Sequence, residues 1–168
     1  MVGTVTPVDI RLVHTGDAEA IREIYNREVL EATVTFDLVP RTHADQLAWI
    51  DAHSGGHPAL VAIDAGVVVG FASVSPYRSR PAYATTVEDS VYVRRDRQGE
   101  GIGNALLAAL VARTREHGFH SMIARIVGGH AASIALHRRC GFEEVGVERE
   151  VGRKFGQWLD VVLMQVLL

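Results

Sequence analysis

The turn Gln98-Gly99-Glu100-Gly101-Ile102-Gly103 is the segment whose spacing most directly suggests a chemistry. It follows the apolar stretch Val91-Tyr92-Val93 and leads into a run with helical period. Glycines let a backbone approach an anion closely, and the unpaired N–H groups and dipole at a helix start favour negative charge, so this arrangement can hold a phosphate. Arg94, Arg95 and Arg97 add positive charge beside it. A plain strand-to-helix connection uses the same residues, so the turn by itself leaves both readings open. There is no G-x-x-x-x-G-K followed by Ser or Thr, hence no P-loop lysine. Gly99, Gly101 and Gly103 fall outside the G-x-G-x-x-G register and lie in mid-chain, which argues against a dinucleotide site.

Other side chains could act on a ligand held there. Arg80 and Tyr83 suit a carboxylate or other oxyanion, because a guanidinium binds such groups through two N–H donors and a phenol adds one more bond. Arg78 is so near that sequence does not separate it from Arg80. His137 titrates in the range useful for proton transfer, and equally suits capping or packing of the last helix. Cys140, the single cysteine, excludes an internal disulfide; it can be read as an acyl-accepting nucleophile or as a small apolar residue at a helix end. The pairs His130/His137 and His53/His57 lack the carboxylate or cysteine partners of a metal site, so no metal is expected.

The elements that must position these residues are legible from periodicity. Val8–Val13 reads as a first strand, 17–31 as an amphipathic helix, 32–36 as a loop or short extended piece, and 43–53 as a second helix. Ala59–Ile63 and Val67–Val74 flank Asp64-Ala65-Gly66 as a hairpin, with Gly70 marking a bulge or a close backbone approach. In the strand Thr86–Val93, alternation puts Val87, Asp89, Val91 and Val93 on one face and Glu88, Ser90 and Tyr92 on the other. Ile102, Leu106, Leu107, Leu110 and Val111 give a helix over 101–117 that stops at Gly118. His120–Val127 is a strand, 131–140 a short helix, and 143–153 and 158–168 two further strands. Strands alternate with helices while the hairpins are antiparallel, so the expected class is α/β (α+β), a mixed sheet of about seven strands with helices on both sides.

The chain has 168 residues, 48% hydrophobic and 22% charged, which fits one domain spanning 1–168. A net charge of -3 gives no overall basic field, so neither nucleic acid nor an anionic membrane is an expected partner. Met1–Pro7 shows no basic region followed by a long apolar one, and no apolar run reaches the roughly 18–20 residues of a membrane span. Together with the lone cysteine, these features read as a cytoplasmic protein.

Gln98-x-x-Gly101-x-Gly103 resembles the coenzyme A loop of the GNAT acetyltransferase superfamily. Thr33-Val34-Thr35-Phe36, Arg80 with Tyr83, Val87–Val93, Ala132–His137 with Gly141-Phe142, and Val151–Val162 are similar, in order, to its phosphinothricin and methionine sulfoximine acetyltransferase branch. The resemblance implies the GNAT fold, acetyl-CoA as co-substrate, a small amino-acid-like acceptor and a homodimer. It implies that the backbone of Val91, Tyr92 and Val93 pairs with the pantetheine arm. Gln98, Gly99, Glu100, Gly101, Ile102, Gly103 and Asn104 would hold the pyrophosphate. A protonated amine cannot attack, and the resemblance makes Glu88 the base, with His137 a second candidate for proton transfer. It places Phe36, with Thr35, at the side-chain end of the acceptor pocket, and Lys154 with Trp158 as closing residues, although a lysine on an edge strand and a core tryptophan are the ordinary readings. The resemblance also places Ser133 among the coenzyme contacts, and the chain departs from the branch at His130, which stands where an asparagine contacts the pantetheine arm and which offers one neutral N–H of different reach.

Overall fold

The structure, a computed structural model, describes residues 8–168, so the reading of Met1–Pro7 lies outside the described residues. Seven strands, β1 (Asp9–Leu12), β2 (Ala59–Asp64), β3 (Val67–Pro76), β4 (Thr86–Val93), β5 (Ser121–Val127), β6 (Glu143–Lys154) and β7 (Gln157–Leu167), form one sheet in the order β1-β2-β3-β4-β5-β7-β6. All neighbours are antiparallel except β4 and β5, which run parallel.

Four helices cover the sheet: α1 (Ala18–Glu31), α2 (His43–Ala52), α3 (Ile102–Glu116) and α4 (Ala131–Arg139). Alternation along β2 separates two cores. Leu60 and Ala62 join Ile102, Leu106, Leu107 and Leu110 of α3, whereas Val61 joins Ile21, Ile24, Tyr25 and Val29 of α1 on the other face. Each such large side chain stabilises the fold by about 1.5–3 kcal/mol on burial. Asp45 N donates to Thr42 Oγ1 (3.1 Å) and Thr42 N donates to Asp45 Oδ2 (2.8 Å), a capping box that starts α2.

The β2–β3 hairpin turns on Ala65 (φ 47°) and Gly66 (φ 79°), the left-handed pair that matches strand twist, with alanine carrying strain that glycine does not. Gly70 marks both features expected of it. The register shifts between Ala62 and Ile63 opposite it, and a Cβ there would lie 2.9 Å from the Tyr92 carbonyl oxygen and 3.1 Å from Leu106 Cδ1. The segment 32–36 forms no strand, and short 3-10 turns at Thr15–Asp17, Pro81–Tyr83 and Arg95–Arg97 carry no period that sequence could reveal.

The feature that makes a site is a parting of strands. β4 stays paired with β3 from Val87 to Val93, yet pairs with β5 only at Thr86, Val87 and Glu88. Beyond Glu88 the edge of β4 that faces β5 has no strand partner, so its main-chain groups need a ligand or solvent.

Candidate active site

The glycine turn sits where β4 ends. Gly99 (φ 81°) and Gly101 (φ 84°) are left-handed, and Gly101 is the N-cap of α3, so amides of the turn and of the first helical residues, through Gly103 and Asn104, are free to bind an anion. A Cβ at Gly103 would press on Leu136 Cδ2 at 3.3 Å, which keeps α3 and α4 close. The three arginines beside the turn do not serve as free charges. Arg94 bonds Asp96, Arg95 bonds Glu28 (2.8 Å) and Glu31 (2.6 Å), and Arg97 bonds Asp64 (2.7 Å) and Glu100 (2.9 Å). Arg95 ties the turn to α1 and Arg97 ties it to the β2–β3 hairpin, which leaves the backbone amides as the donors open to an anion. Gln98 turns back on its own strand, Nε2 donating to the Val93 carbonyl at 3.3 Å.

His130 is the N-cap of α4: its Nδ1 accepts from Ser133 N at 3.0 Å. An asparagine oxygen could make the same bond, so the histidine keeps the capping function. With Nδ1 an acceptor, the neutral ring carries its proton on Nε2, which is left as a donor.

At the parting point a cavity of about 280 Å³ opens between the sheet and the α1–α2 loop. Glu88, Ser90 and Tyr92 line it from β4, Arg125, Val127 and Val161 from β5 and β7, and Tyr25, Val34, Thr35 and Phe36 close it. Burial pushes the Glu88 carboxyl above its ordinary range; Arg125 opposes this, while Asp89 and Glu148 add to it. A carboxylate raised toward neutrality by desolvation is better matched to taking a proton near pH 7.

The walls are held rigidly. Tyr25 Oη bonds Thr35 Oγ1 (2.9 Å) and donates to Asp37, and burial followed by the Asp37 bond lifts its phenol to about 12. Tyr92 stacks on Phe71 at 5.2 Å and meets Tyr25 edge-on at 5.2 Å. Lys154, 3% exposed, donates through Nζ to the Thr35 carbonyl at 2.8 Å, and burial lowers its pKa. It thus anchors the loop from behind. Phe36 packs over Gly152 so closely that a Cβ there would overlap the ring. Trp158, for which a core position is the ordinary reading, is 61% exposed because it lies at the start of β7 beside the hairpin turn.

His137 lies on the opposite face of β4. Its Nε2 meets Asp89 Oδ2 at 3.0 Å and its Nδ1 donates to the Ser133 carbonyl at 2.8 Å. Burial, the largest single influence, opposes charge on the ring, but the Asp89 bond, the Asp89 charge and the Ser133 carbonyl together outweigh it and the net shift is upward. Both side chains are nearly inaccessible, at 5% and 1% exposure, so the pair ties α4 to the strand that carries Glu88. Cys140 is also disfavoured as a thiolate, since burial pushes its thiol up.

Arg78, Ser79, Arg80 and Tyr83 line a separate, open concavity of about 490 Å³ on the loop before β4, which shares no residue with the Glu88 cavity. Arg78 lies 4.9 Å above the Tyr77 ring.

Reading by residue type passed over Tyr25, Ser90, Asp89 and Arg125. Ser90 shares the Glu88 face by alternation, and Arg125 is the one charged residue in Ser121–Val127, so both carried a signal. The roles of Tyr25 and Asp89 depend on partners 10 to 48 residues away, Thr35, Asp37 and His137, which local sequence does not reveal. Among the described residues no group of three or more His, Cys, Asp or Glu could hold a metal.

A turn with amides open to an anion at one end of a parted strand and a raised carboxylate at the other bring an anion site and a proton acceptor to one free strand edge. A family profile described as an acetyltransferase (GNAT) domain matches residues 10–163. The chain is 47% identical over 161 residues to an L-methionine sulfoximine/L-methionine sulfone acetyltransferase of Pseudomonas paraeruginosa, covering 95% of this chain and 94% of that protein. Among solved structures it resembles a phosphinothricin acetyltransferase of Sinorhizobium meliloti in complex with acetyl-CoA (TM-score 0.93, 41% identity, 97% and 89% of the two chains). It equally resembles a ribosomal-protein-alanine N-acetyltransferase of Brucella melitensis (TM-score 0.93, 41% identity, 95% and 99%). This chain belongs to the GNAT acetyltransferase family.

Proposed function

We propose that this chain, as a single domain over 1–168, moves the acetyl group of acetyl-CoA to the α-amine of a small amino acid or analogue of the methionine sulfone, methionine sulfoximine or phosphinothricin type. The observation that carries the reading is the position of Glu88. It is the last paired residue before β4 and β5 part, and it lines a partly open cavity with Thr35 and Phe36. The residues fit the co-substrate: left-handed Gly99 and Gly101 expose amides to its pyrophosphate, and the unpaired edge of Val91, Tyr92 and Val93 suits its amide-bearing arm. Bound there, acetyl-CoA supplies an activated acyl group. Glu88 takes the ammonium proton, directly or through water, and so presents a neutral amine to the gap. An N–H on the free edge of β4 is a preorganised donor for negative charge developing on the carbonyl oxygen. The buried His137–Asp89 pair favours a positioning role for His137 over direct proton transfer. Arg78, Arg80 and Tyr83 receive an oxyanion of the acceptor.

A second reading, acetylation of a protein or peptide terminus, draws on the Brucella neighbour's name. The small volume of the Glu88 cavity and its cover by the α1–α2 loop weigh for a free amino acid. A catalytically silent coenzyme A-binding module would not need a desolvated carboxylate at that point. The test is a screen of free amino acids, their sulfone, sulfoximine and phosphinate analogues, and alanine-terminated peptides for thiol release from acetyl-CoA. Activity on peptides alone overturns the small-acceptor reading.

We further propose a cytoplasmic homodimer. No helix of the described residues is long and apolar enough to cross a membrane, and Leu38, Val39, Phe155 and Trp158 stand exposed as candidates for a subunit contact. Light scattering after size exclusion tests it, and a monomeric mass at micromolar concentration would overturn it.

A further inference from the structure

Resting on the small-acceptor reading, we infer that Arg125, held by Glu148, is the receptor for the acceptor's α-carboxylate, and that the loop arginines serve the oxygens at the far end of the acceptor.

In an α-amino acid the amine nitrogen and the carboxylate carbon are both bonded to Cα, about 2.5 Å from each other. Whatever cation receives the carboxylate must therefore share a cavity with the base that takes the amine's proton. Of the residues lining the Glu88 cavity, Arg125 is the one cation. Arg78 and Arg80 line a different concavity, and Lys154 is committed to the Thr35 carbonyl behind the wall.

Arg125 is also available. Its Nη2 donates to Glu148 Oε2 at 2.6 Å, and the two side chains are 31% and 32% exposed. That single bond restrains the guanidinium while leaving most of its five N–H donors for a ligand. Glu148 stands where the register of β6 against β7 shifts, between Glu148 and Gly152, and it reaches across to the β5 side chain from there. Without Arg125, the charged residues lining the cavity would be Glu88 and Asp89 alone, both of like sign to a bound carboxylate.

The assignment is tested with purified Arg125→Gln, Arg125→Lys and Glu148→Gln proteins, assayed by thiol release with methionine sulfone and with its carboxamide, which lacks the carboxylate charge. In Arg125→Gln, KM for methionine sulfone is expected to rise about 10- to 100-fold, the scale of a charge-assisted hydrogen bond. KM for acetyl-CoA and for the carboxamide should stay within about threefold of wild type. Arg125→Lys, which keeps the charge without the fork, should fall between. Glu148→Gln should leave KM for methionine sulfone at or below the wild-type value. An equal rise for acid and carboxamide in Arg125→Gln overturns the assignment, as does a Glu148→Gln protein that matches Arg125→Gln, since the pair would then be only a staple between strands. If Arg125→Gln does not fold, Arg125→Lys and Glu148→Gln carry the same comparison. A wild-type protein active on peptides but on neither small compound marks failure of the acceptor reading itself, and this inference falls with it.

Discussion

Replacing Glu88 by glutamine keeps the shape of the side chain and removes its ability to take a proton. General-base catalysis is worth roughly 10²–10⁴ in rate, about 3–5.5 kcal/mol of transition-state stabilisation. The kcat of Glu88→Gln is therefore expected to fall by about two to four orders of magnitude, with KM for acetyl-CoA near wild type, because the glycine turn lies beyond the far end of β4. The pH profile adds a second reading. Burial raises the carboxyl above its ordinary value of 4.5, Arg125 partly offsets this, and Asp89 and Glu148 reinforce it. Wild-type kcat/KM should thus fall on the acid side with a limb displaced upward from the ordinary carboxylate range, and Glu88→Gln should lack that limb. Stability moves the other way. A group whose pKa is raised on folding stabilises the protein below its unfolded pKa, and that contribution is lost as pH rises through the folded pKa. Near pH 7–8 the ionised carboxylate is a burden, so the amide should match or exceed the wild-type Tm. Continuous thiol release and a thermal scan at pH 6, 7, 8 and 9 measure all three quantities. A variant that keeps kcat within about threefold across that range refutes the assignment of the base.

Lys154→Met should leave the Thr35 carbonyl without its partner and cost about 1–3 kcal/mol, a Tm fall of about 2–12 °C, with a higher KM for the acceptor because Thr35 and Phe36 form the cavity wall. His137→Gln removes one member of a buried pair, a change that costs about 3–5 kcal/mol in such settings. Since the His137 pKa is raised, the deficit relative to wild type should be largest below pH 6.5 and shrink as pH climbs through the folded value, as denaturant titrations at several pH values would reveal. Ala65→Gly should relieve the left-handed strain in the β2–β3 turn and raise stability by up to about 1 kcal/mol without altering activity, by denaturant melts and thiol release respectively.

Local order was written plainly in the chain. Period-two and helical patterns placed Thr86–Val93 and Ile102–Glu116 within a residue or two, because apolar spacing and glycine stops such as Gly118 act over a few residues. The glycine turn proposed to hold the pyrophosphate belonged to that local class as well. What the tertiary structure decided depends on groups far apart in sequence. The parting of β4 from β5 beyond Glu88 follows from how two strands joined through α3 register against each other. His137 reaches Asp89 across 48 residues and Lys154 reaches Thr35 across 119, so composition near either residue said nothing of its partner. The arginines flanking the turn look like phosphate ligands in sequence, yet Glu28, Glu31, Asp64, Asp96 and Glu100 neutralise them in space. Sequence thus marked the glycine turn as able to hold an anion and, through the family resemblance, Glu88 as the candidate base. Only the sheet's long-range pairing decided that Glu88 shares its cavity with Arg125, because cavities form where distant strands separate.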